Sequence, residues 1–300
     1  MNIGDSFLIQ YEGSIWRPPS EARSLILQAT IGCSHNACIF CVSYKQKKYR
    51  IRGVKGIQED LEVFSSHYKN TVRRVFLADG NALAIPTEEL ADILQLLKKE
   101  IPNLERVGVY GYAKDVRVKT TEDMHALKEA GLGIIYLGLE TGDDELLRWA
   151  CKGIDSEENI AACLKIREAG IPLSLTIILG LGGLDNSEKH ARRTAEVLSK
   201  IDPEYIGALT LMTPRGTRIH EMLSSGEFVL MKPMEILREL RLLVETLDLS
   251  NCTFRTNHAS NYLALGGKLP RDKNRILLAL DKAIISGDES ILRPSYTRGL

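Results

Sequence analysis

Short apolar runs alternate with longer amphipathic runs from residue 25 onward, and this alternation limits the folds open to the chain more than any other feature. The apolar runs have the length of buried strands, whereas the amphipathic runs have the length and spacing of helices. Repeated β–α units of this kind predict parallel strands joined by right-handed crossovers. We therefore predict an α/β fold, either an open doubly wound sheet or, as we favour, a partial (β/α)6 TIM-like barrel with a helical C-terminal extension.

The same alternation predicts where the elements lie. The predicted strands are residues 25–30, 74–78, 106–110, 134–139, 173–179 and 205–211. The predicted helices are residues 57–68, 87–99, 121–130, 143–150, 156–169 and 187–200, followed by 234–247 and 272–286. Gly131 and Gly170 stand where two helices should end, since glycine adopts the left-handed conformation that closes a helix. We divide the chain into an N-terminal segment (1–24), a core barrel (25–226) and a C-terminal extension (227–300).

The charge balance argues against one class of partner. Lys+Arg and Asp+Glu both total 39, so the 300-residue chain has a formal net charge of zero. A nucleic-acid binder usually carries a basic excess, and we do not expect a nucleic acid as partner. The first residues lack a basic region followed by an apolar region, and no apolar run is long enough to span a bilayer. We accordingly predict a cytoplasmic protein that does not associate with membranes.

Three of the six cysteines crowd into the segment Cys33-Ser-His-Asn-Ala-Cys38-Ile-Phe-Cys41, directly after the first predicted strand. A disulfide scaffold would spread its cysteines through a small secreted chain, whereas a tight cluster in a long intracellular chain indicates metal. Three thiolates can bind three irons of a [4Fe–4S] cluster and leave the fourth iron open to S-adenosylmethionine (SAM). Zinc is the alternative, with His35 as the fourth ligand, although all four ligands would then lie on one short loop.

These cysteines resemble the cluster motif of the radical SAM superfamily, particularly the branch that includes oxygen-independent coproporphyrinogen oxidase and the Elongator-type enzymes. The resemblance covers roughly residues 25–226. The usual motif has three residues between the first two cysteines, whereas this chain has four. Phe40 stands just before the last cysteine, where the family carries an aromatic residue that packs near the SAM adenine. The resemblance implies a [4Fe–4S] cluster held by Cys33, Cys38 and Cys41, with SAM as the second cofactor.

The resemblance also implies SAM-binding residues at the ends of later strands. Asp79 and Gly80 resemble the family's glycine motif, whose backbone contacts the SAM amino group. Glu140 ends the fourth strand and Lys152 follows twelve positions on, as do a polar and a basic residue that both contact SAM in the family. Glu140 suits the ribose hydroxyls or the SAM ammonium group, and Lys152 suits the SAM carboxylate.

Three more residues are candidates for SAM binding. Thr176 and Ile178 belong to a stretch that resembles the strand-plus-glycine motif that cups the adenine, and the period of two puts both on one face. The glycines that follow do not form a phosphate-binding loop, because no Gly-Lys-Ser/Thr comes after them. Tyr110, at the end of the third strand, completes the set.

A basic stretch closely follows the cysteines. Such a stretch is either a solvated face or a docking surface for an acidic electron donor such as flavodoxin or ferredoxin. A carboxylate-rich substrate is a further possibility. The residues concerned are Lys45, Lys47, Lys48, Arg50 and Arg52.

Two residues of the C-terminal extension carry reactive side chains without an assigned role. His258 lies in a polar segment, where it could move a proton near neutral pH or serve as a structural residue. Cys252 could donate a hydrogen atom if its thiol lay near the radical.

The cysteines and the resemblance together predict a radical SAM enzyme. It would reductively cleave SAM at a [4Fe–4S] cluster and abstract hydrogen from an unidentified organic substrate, which we expect to be a small molecule. The alternatives are a radical SAM methylase, a sulfur-inserting enzyme and, from a different class, a zinc-stabilised binding module. Membership of a branch does not fix the substrate, since one fold hosts many reactions.

Overall fold

The computed structural model describes residues 9–299, which form two compact units. The first unit comprises the residues up to 36, residues 43–137 and residues 162–173. The second unit comprises residues 37–42, 138–161 and everything from residue 174 onward. The predicted division at residues 24/25 and 226/227 stays a prediction.

The first unit contains parallel strands with helices between them. Strand β1 pairs with β4, β4 with β5 and β5 with β6, all in parallel. The short strands β2 and β3 pair antiparallel and close the base of the loop that carries the cysteines. The strands are β1 (Leu25–Gln28), β2 (Thr30–Ile31), β3 (Arg50–Ile51), β4 (Arg74–Ala78), β5 (Arg106–Gly111) and β6 (Leu132–Glu140). The helices are α1 (Gly53–Glu62), α2 (Ser66–Lys69), α3 (Thr87–Glu100), α4 (Ala113–Val118) and α5 (Thr121–Ala130).

The second unit contains the end of β6 and all later strands. Strands β7 and β8 are parallel, β8 and β9 are parallel, and β10 runs antiparallel to β9. The strands are β7 (Leu173–Leu179), β8 (Tyr205–Thr210), β9 (Cys252–Arg255) and β10 (Gly266–Leu269). The helices are α6 (Asp144–Trp149), α7 (Ser156–Glu168), α8 (Ser187–Ile201), α9 (Arg218–Ser225), α10 (Pro233–Thr246) and α11 (Lys273–Ser286). The first residue of β7 and the last seven of α7 belong to the first unit.

Local sequence signals account for the entry into β6. Thr120 and Asp123 form a capping box at the start of α5, in which each side chain accepts the other residue's backbone N–H. Gly131 ends the helix with φ +118°, a left-handed conformation that side chains disfavour. Gly170 has φ +69° and follows the end of α7 in the same way. Both glycines therefore stand where the sequence predicts helix ends.

The predicted α/β fold is confirmed, with corrections at one helix and in the C-terminal extension. Five of the six predicted strands form with shifts of at most two residues, and residues 25–30 divide into β1 and the start of β2. The helix predicted over residues 57–68 is wrong as a single element, because the chain forms α1 and the short α2 there. The other predicted helices form within one residue of their predicted bounds. The extension was expected to be helical, yet it also contributes the strands β9 and β10. Cys252 and Phe254 are buried and alternate with more exposed neighbours, so β9 has the period of a strand. Its four residues are too few for that period to stand out in the sequence.

Helix length bears on membrane insertion. Within residues 9–299, no helix is long and apolar enough to cross a bilayer.

Candidate functional site

Gly80 brings the end of β4 against the first cysteine of the cluster. A Cβ atom at Gly80 would lie 2.9 Å from the Cβ of Cys33 and 2.5 Å from the ring of Tyr44. Such distances exclude any side chain, so the backbone at Gly80 approaches Cys33 as only glycine allows. The backbone N–H of Gly80 also donates to the carbonyl of Gly32 at 3.1 Å. Gly80 therefore holds the start of the cysteine loop against β4.

Asp79 is a fully buried carboxylate that ties three chain segments together. Its Oδ2 accepts hydrogen bonds from Nε2 of Gln28 at 3.0 Å, from the backbone N–H of Gly32 at 3.0 Å and from Nζ of Lys47 at 2.7 Å. The Lys47 side chain is only 9% exposed, so this ion pair is screened little by water. Asp79 thus anchors both the entry to the cysteine loop and the segment that follows it.

Two buried oxygens beside Gly80 have no hydrogen-bond partner within the described part of the chain. They are Oδ1 of Asp79 and Oδ1 of Asn81. A buried polar atom without a partner costs free energy, and such atoms commonly meet a ligand or a water molecule. Asn81 is held in place by donating from Nδ2 to Oγ of Ser34 at 2.6 Å and to Asp115. Two fixed acceptors therefore flank the glycine that lies against Cys33, and they suit a cationic group.

Cys38, Phe40 and Cys41 lie in the second unit. The backbone N–H of Cys41 donates to the carbonyl of Cys38 at 3.4 Å, which closes a turn between the two cysteines. The ring of Phe40 packs against an apolar cluster that includes Ile178 at the end of β7. Phe40 and Ile178, both predicted to lie near the adenine, thus belong to one packed cluster.

The donor set fits an iron–sulfur cluster. Cys33, Cys38 and Cys41 are half-buried and form no disulfide within residues 9–299, whereas Cys163 and Cys252 are buried. Thiolates are the usual ligands of such clusters. Within residues 9–299, no group of three or more His, Cys, Asp or Glu side chains is gathered closely enough to hold a metal ion. The assignment of the three cysteines as ligands therefore stays a prediction.

Glu140 and Lys152 form a buried ion pair at the carboxyl end of β6. Nζ of Lys152 lies 2.8 Å from Oε1 of Glu140, and both side chains are at most 10% exposed. Glu140 has φ +66°, a conformation that is uncommon for a residue with a side chain. A Cβ atom at Gly138 would lie 2.0 Å from Oε1 of Glu140, so the glycine leaves the space that the carboxylate occupies. The two residues that sequence reasoning singled out are therefore direct partners.

The remaining SAM candidates lie on different strands. Thr176 is half-buried on β7, two residues before Ile178, so both side chains point to one face. The ring of Tyr110 packs edge-on against Phe76, with centroids 4.9 Å apart, and it also contacts Tyr136. Burial raises the pKa of Tyr110. Tyr110 is thus part of an aromatic core, and its role towards SAM stays a prediction.

Most of the basic stretch is already paired within the first unit. Lys47 binds Asp79, and Arg52 donates from both Nη1 and Nη2 to the buried carboxylate of Asp60. The guanidinium of Arg50 meets the carboxylate of Glu12 on the surface. Lys45 and Lys48 are exposed, and neither forms an ion pair in the described part of the chain. A docking surface would therefore depend on these two lysines.

The structure gives Cys252 and His258 structural surroundings. Cys252 begins β9, and Thr253 pairs with Tyr205 at the start of the parallel strand β8. Its thiol thus lies at the amino ends of these strands, and burial raises its pKa to about 12. The role of Cys252 as a hydrogen-atom donor stays a prediction.

Nδ1 of His258 accepts the backbone N–H of Ser260 at 3.1 Å, and burial together with Arg293 lowers the pKa of the imidazole. Its hydrogen bonds within the polar segment favour the structural role for this histidine.

Sequence reasoning missed two residues beside the cysteine loop. Asn81 carries one of the unpaired oxygens, and Lys47 supplies the charge that balances Asp79. Asn81 directly follows the recognised Asp79-Gly80 pair, so its position was a usable signal. Lys47 gave none, because it stands among other basic residues and nothing in the sequence separates it from them.

Comparisons with known proteins agree with this geometry. A family profile described as the radical SAM superfamily matches residues 27–195, which is more than half of the chain. An uncharacterised methyltransferase of Pyrococcus horikoshii is 25% identical over 210 residues, covering 68% of this chain and 43% of that protein. The heme chaperone HemW of Bacillus subtilis is 20% identical over 203 residues, covering 65% of this chain and 52% of that protein.

A solved structure shows the same fold. Coproporphyrinogen III oxidase (HemN) from Escherichia coli, titled a radical SAM enzyme, matches with a TM-score of 0.56 at 16% identity. The match covers 74% of this chain and 52% of that one. At this identity the likeness shows the fold alone, and it confirms the predicted partial TIM-like barrel. The chain spans less than two thirds of the length of each of these three proteins.

Proposed function

Since the chain belongs to the radical SAM superfamily, we propose that it reductively cleaves SAM and abstracts a hydrogen atom from an organic substrate of low molecular weight. Members of this superfamily are enzymes that bind a [4Fe–4S] cluster and SAM, and these are the cofactors of this chain. When bound, the cluster supplies an electron and SAM supplies the carbon radical that removes hydrogen from the substrate. The protein binds and orients these groups and keeps water away from them.

The surroundings of Gly80 carry the proposal. The backbone there lies against Cys33, and the unpaired oxygens of Asp79 and Asn81 are buried on either side. A SAM ammonium group would supply the donors that these oxygens lack, since an ammonium offers three N–H groups. This arrangement supports a site in which the amino end of SAM lies next to the cysteine loop. Cys33, Cys38 and Cys41 would hold the cluster.

Glu140 and Lys152 would take the oppositely charged parts of the same cofactor. In a buried ion pair each charge neutralises the other before SAM binds. Removal of one partner leaves a buried charge without a counter-charge and lowers the stability of the fold. The carboxylate of Glu140 can accept from ribose hydroxyls or an ammonium group, while Lys152 can donate to the SAM carboxylate. Asp79 differs from Glu140 because only one of its oxygens is left for SAM. Its Oδ2 already accepts from Gly32 and Lys47 and so holds the loop around Cys33.

Product formation tests the proposal directly. Protein reconstituted without oxygen and supplied with dithionite and SAM is expected to release 5′-deoxyadenosine and methionine slowly, even without substrate. Chromatography of the quenched reaction measures both products. Iron-loaded protein that binds SAM and leaves it intact under these conditions would contradict the proposal.

Substitutions at the ion pair should separate SAM binding from cluster binding. Glu140→Ala and Lys152→Ala are each expected to weaken SAM binding at least tenfold, because a charged hydrogen bond contributes about 1.5–3 kcal/mol. Iron content should stay unchanged. Equilibrium binding of SAM and an iron assay measure the two properties.

Each single variant leaves one buried charge without its partner, so stability needs a control. Glu140→Gln combined with Lys152→Met removes both charges and keeps the side-chain volumes close to those of the pair. This double variant should fold and still bind SAM weakly. Normal SAM binding by both alanine variants would show that these positions do not contact the cofactor.

A radical methylase is the second candidate within the class. The printed name of the Pyrococcus relative, a methyltransferase, favours it. Transfer of an isotopic label from the SAM methyl group to a product would separate this outcome from hydrogen abstraction. The printed names of two relatives from Methanocaldococcus jannaschii, both methylthiotransferases, keep sulfur insertion as an alternative. Membership of an enzyme family sets aside the zinc-stabilised binding module.

Radical SAM enzymes need an electron donor, and we propose that flavodoxin or ferredoxin docks at Lys45 and Lys48. The expected cytoplasmic location stays a prediction. Reversal of both lysines to glutamate should slow flavodoxin-driven formation of 5′-deoxyadenosine severalfold and leave the dithionite-driven rate unchanged. Steering between exposed charges is screened over roughly 8 Å at physiological salt, so added salt should have the same selective effect.

Lys47 is not a suitable position for this test, because its reversal would break the buried pair with Asp79. Arg271→Glu combined with Lys282→Glu, at two exposed residues far along the chain from the cysteines, gives the same change of charge. Equal losses with both reductants in the double lysine variant would exclude the docking surface.

A further inference from the structure

Glu239 is a buried carboxylate on α10 that accepts hydrogen bonds from two parts of the chain. Its side chain is fully enclosed, and the residue is 2% exposed. Oε1 accepts the backbone N–H of Gly180 at 2.7 Å, and Oε2 accepts the hydroxyl of Ser187 at 2.6 Å. Within residues 9–299, no lysine or arginine forms an ion pair with it. Burying a carboxylate costs free energy, and these hydrogen bonds offset part of that cost while they fix the groups that donate them.

The partner of Glu239 is the turn that ends β7. Gly180 has φ +79°, and a Cβ atom there would lie 2.7 Å from Cδ1 of Ile236 on the same helix. The turn thus packs closely against α10, and the carboxylate of Glu239 fixes the direction of the Gly180 N–H. Ile178, two residues earlier, is the residue predicted to lie against the adenine. Glu239 therefore fixes the backbone directly after β7, the strand that is predicted to bind the adenine.

His190 makes a second connection to the same strand. Its imidazole is 1% exposed, with Nε2 at 3.1 Å from the carbonyl of Ile178 and Nδ1 at 2.8 Å from Oγ1 of Thr141. The carbonyl can only accept, so Nε2 donates to it, and in the neutral ring Nδ1 accepts the hydroxyl of Thr141. Nε2 also lies 3.6 Å from Oε1 of Glu239. His190 thus bridges the ends of β7 and β6.

Thr141 completes the connection, because it directly follows Glu140. Its Oγ1 accepts the backbone N–H of Asp143 at 3.0 Å. The N–H of Gly142, which lies between these two residues, donates to Oγ1 of Thr194 at 3.0 Å. The turn after Glu140 is therefore held by α8, just as the turn after β7 is held by α10. Both turns adjoin residues predicted to bind the adenosine half of SAM.

We propose that Glu239, His190 and Thr141 are positioning residues that fix the two turns on which the adenosine half of SAM rests. The inference rests on the proposed function. It makes α10 a required part of the cofactor site, although this helix lies outside the residues matched by the family profile, 27–195. The three residues do not touch SAM. They act through the backbone around Ile178 and Gly180 and through the residue after Glu140.

Substitution of Glu239 tests the inference. Glu239→Leu keeps the approximate volume and removes both acceptors, so SAM should bind at least tenfold more weakly. Glu239→Gln keeps one acceptor for Gly180 and can donate to Ser187, so its affinity should stay within about threefold of the wild type. Glu245→Leu is the matched control, because Glu245 lies on the exposed side of the same helix. It should bind SAM normally.

Two readouts distinguish positioning from general loss of stability. In equilibrium binding to cluster-loaded protein, Glu239→Leu should lose affinity for SAM and 5′-deoxyadenosine and keep its affinity for methionine. In the protein without SAM, hydrogen exchange at the Gly180 amide should become faster than in Glu245→Leu. If Glu239→Leu does not fold, Thr141→Val removes only the hydroxyl and should weaken 5′-deoxyadenosine binding at least threefold.

The outcomes separate the inference from the proposed function. Wild-type protein that holds its cluster and fails to bind SAM would overturn the proposed function. Wild-type protein that binds SAM, together with a folded Glu239→Leu or Thr141→Val variant of equal affinity, would overturn the inference alone. An equal loss of affinity for methionine and 5′-deoxyadenosine would also overturn it.

Discussion

Replacement of Cys33, Cys38 or Cys41 by alanine is expected to lower the iron content of reconstituted protein from about four atoms per chain, the content of one cubane cluster, to nearly none. In the proposed site the three thiolates would hold three of the irons, and loss of one would leave the cluster with two protein ligands and a second open iron. Such a cluster exchanges and decomposes. Iron and sulfide assays after anaerobic reconstitution and desalting measure the effect.

Cys151→Ala is the control for this experiment, because Cys151 is also half-buried and forms no disulfide in the described part of the chain. It should keep the full iron content. Retention of iron by any of the three cluster variants would show that the replaced cysteine is not a ligand. Zinc in place of iron and sulfide in the wild-type protein would contradict the cluster assignment altogether.

Asp79→Ala is expected to lower the free energy of unfolding of the metal-free protein by about 3–5 kcal/mol, the usual cost of breaking a buried ion pair. Three donors lose their acceptor at once, and the ammonium of Lys47 stays buried without a counter-charge. Urea denaturation followed by circular dichroism measures the change. Cluster reconstitution should also fail, because Gly32 at the entry to the cysteine loop loses its anchor.

Two variants show whether burial causes the effect. Glu12→Ala removes the acidic partner of Arg50 in a pair whose side chains are about half exposed. Exposed pairs contribute little, so this variant should lose much less stability than Asp79→Ala. Asp79→Asn keeps an acceptor for Gly32 and should fall between the two. A loss below about 1 kcal/mol for Asp79→Ala would mean that Lys47 reaches water or another partner.

The strand and helix pattern was predictable because it depends on local periodicity. Strand β7 has the bounds predicted for it, and β4 does too, since each is an apolar run closed by polar or glycine residues. The short strands β9 and β10 were missed. Their stability comes from pairing with each other and with β8, so four residues need not carry a recognisable pattern of their own.

The residues of the candidate site also differ in whether the sequence alone indicates them. The spacing of Cys33, Cys38 and Cys41 and the positions of Glu140 and Lys152 are sequence signals, because they follow strand ends and match a family motif. Nothing in the sequence indicates that Lys47 is buried while Lys45 and Lys48 are exposed.

By itself, the sequence determined the class of fold, the thiol donors and the turns at which chemistry is expected, since each depends on residue type and on spacing along a few turns of chain. Only the tertiary structure decided which charges are paired. Lys47 meets Asp79 across 32 residues, and Glu239 meets Gly180 across 59. Partners so far apart are brought together by the packing of whole strands and helices, and a charge acquires its function from the water it loses and the donor it meets there.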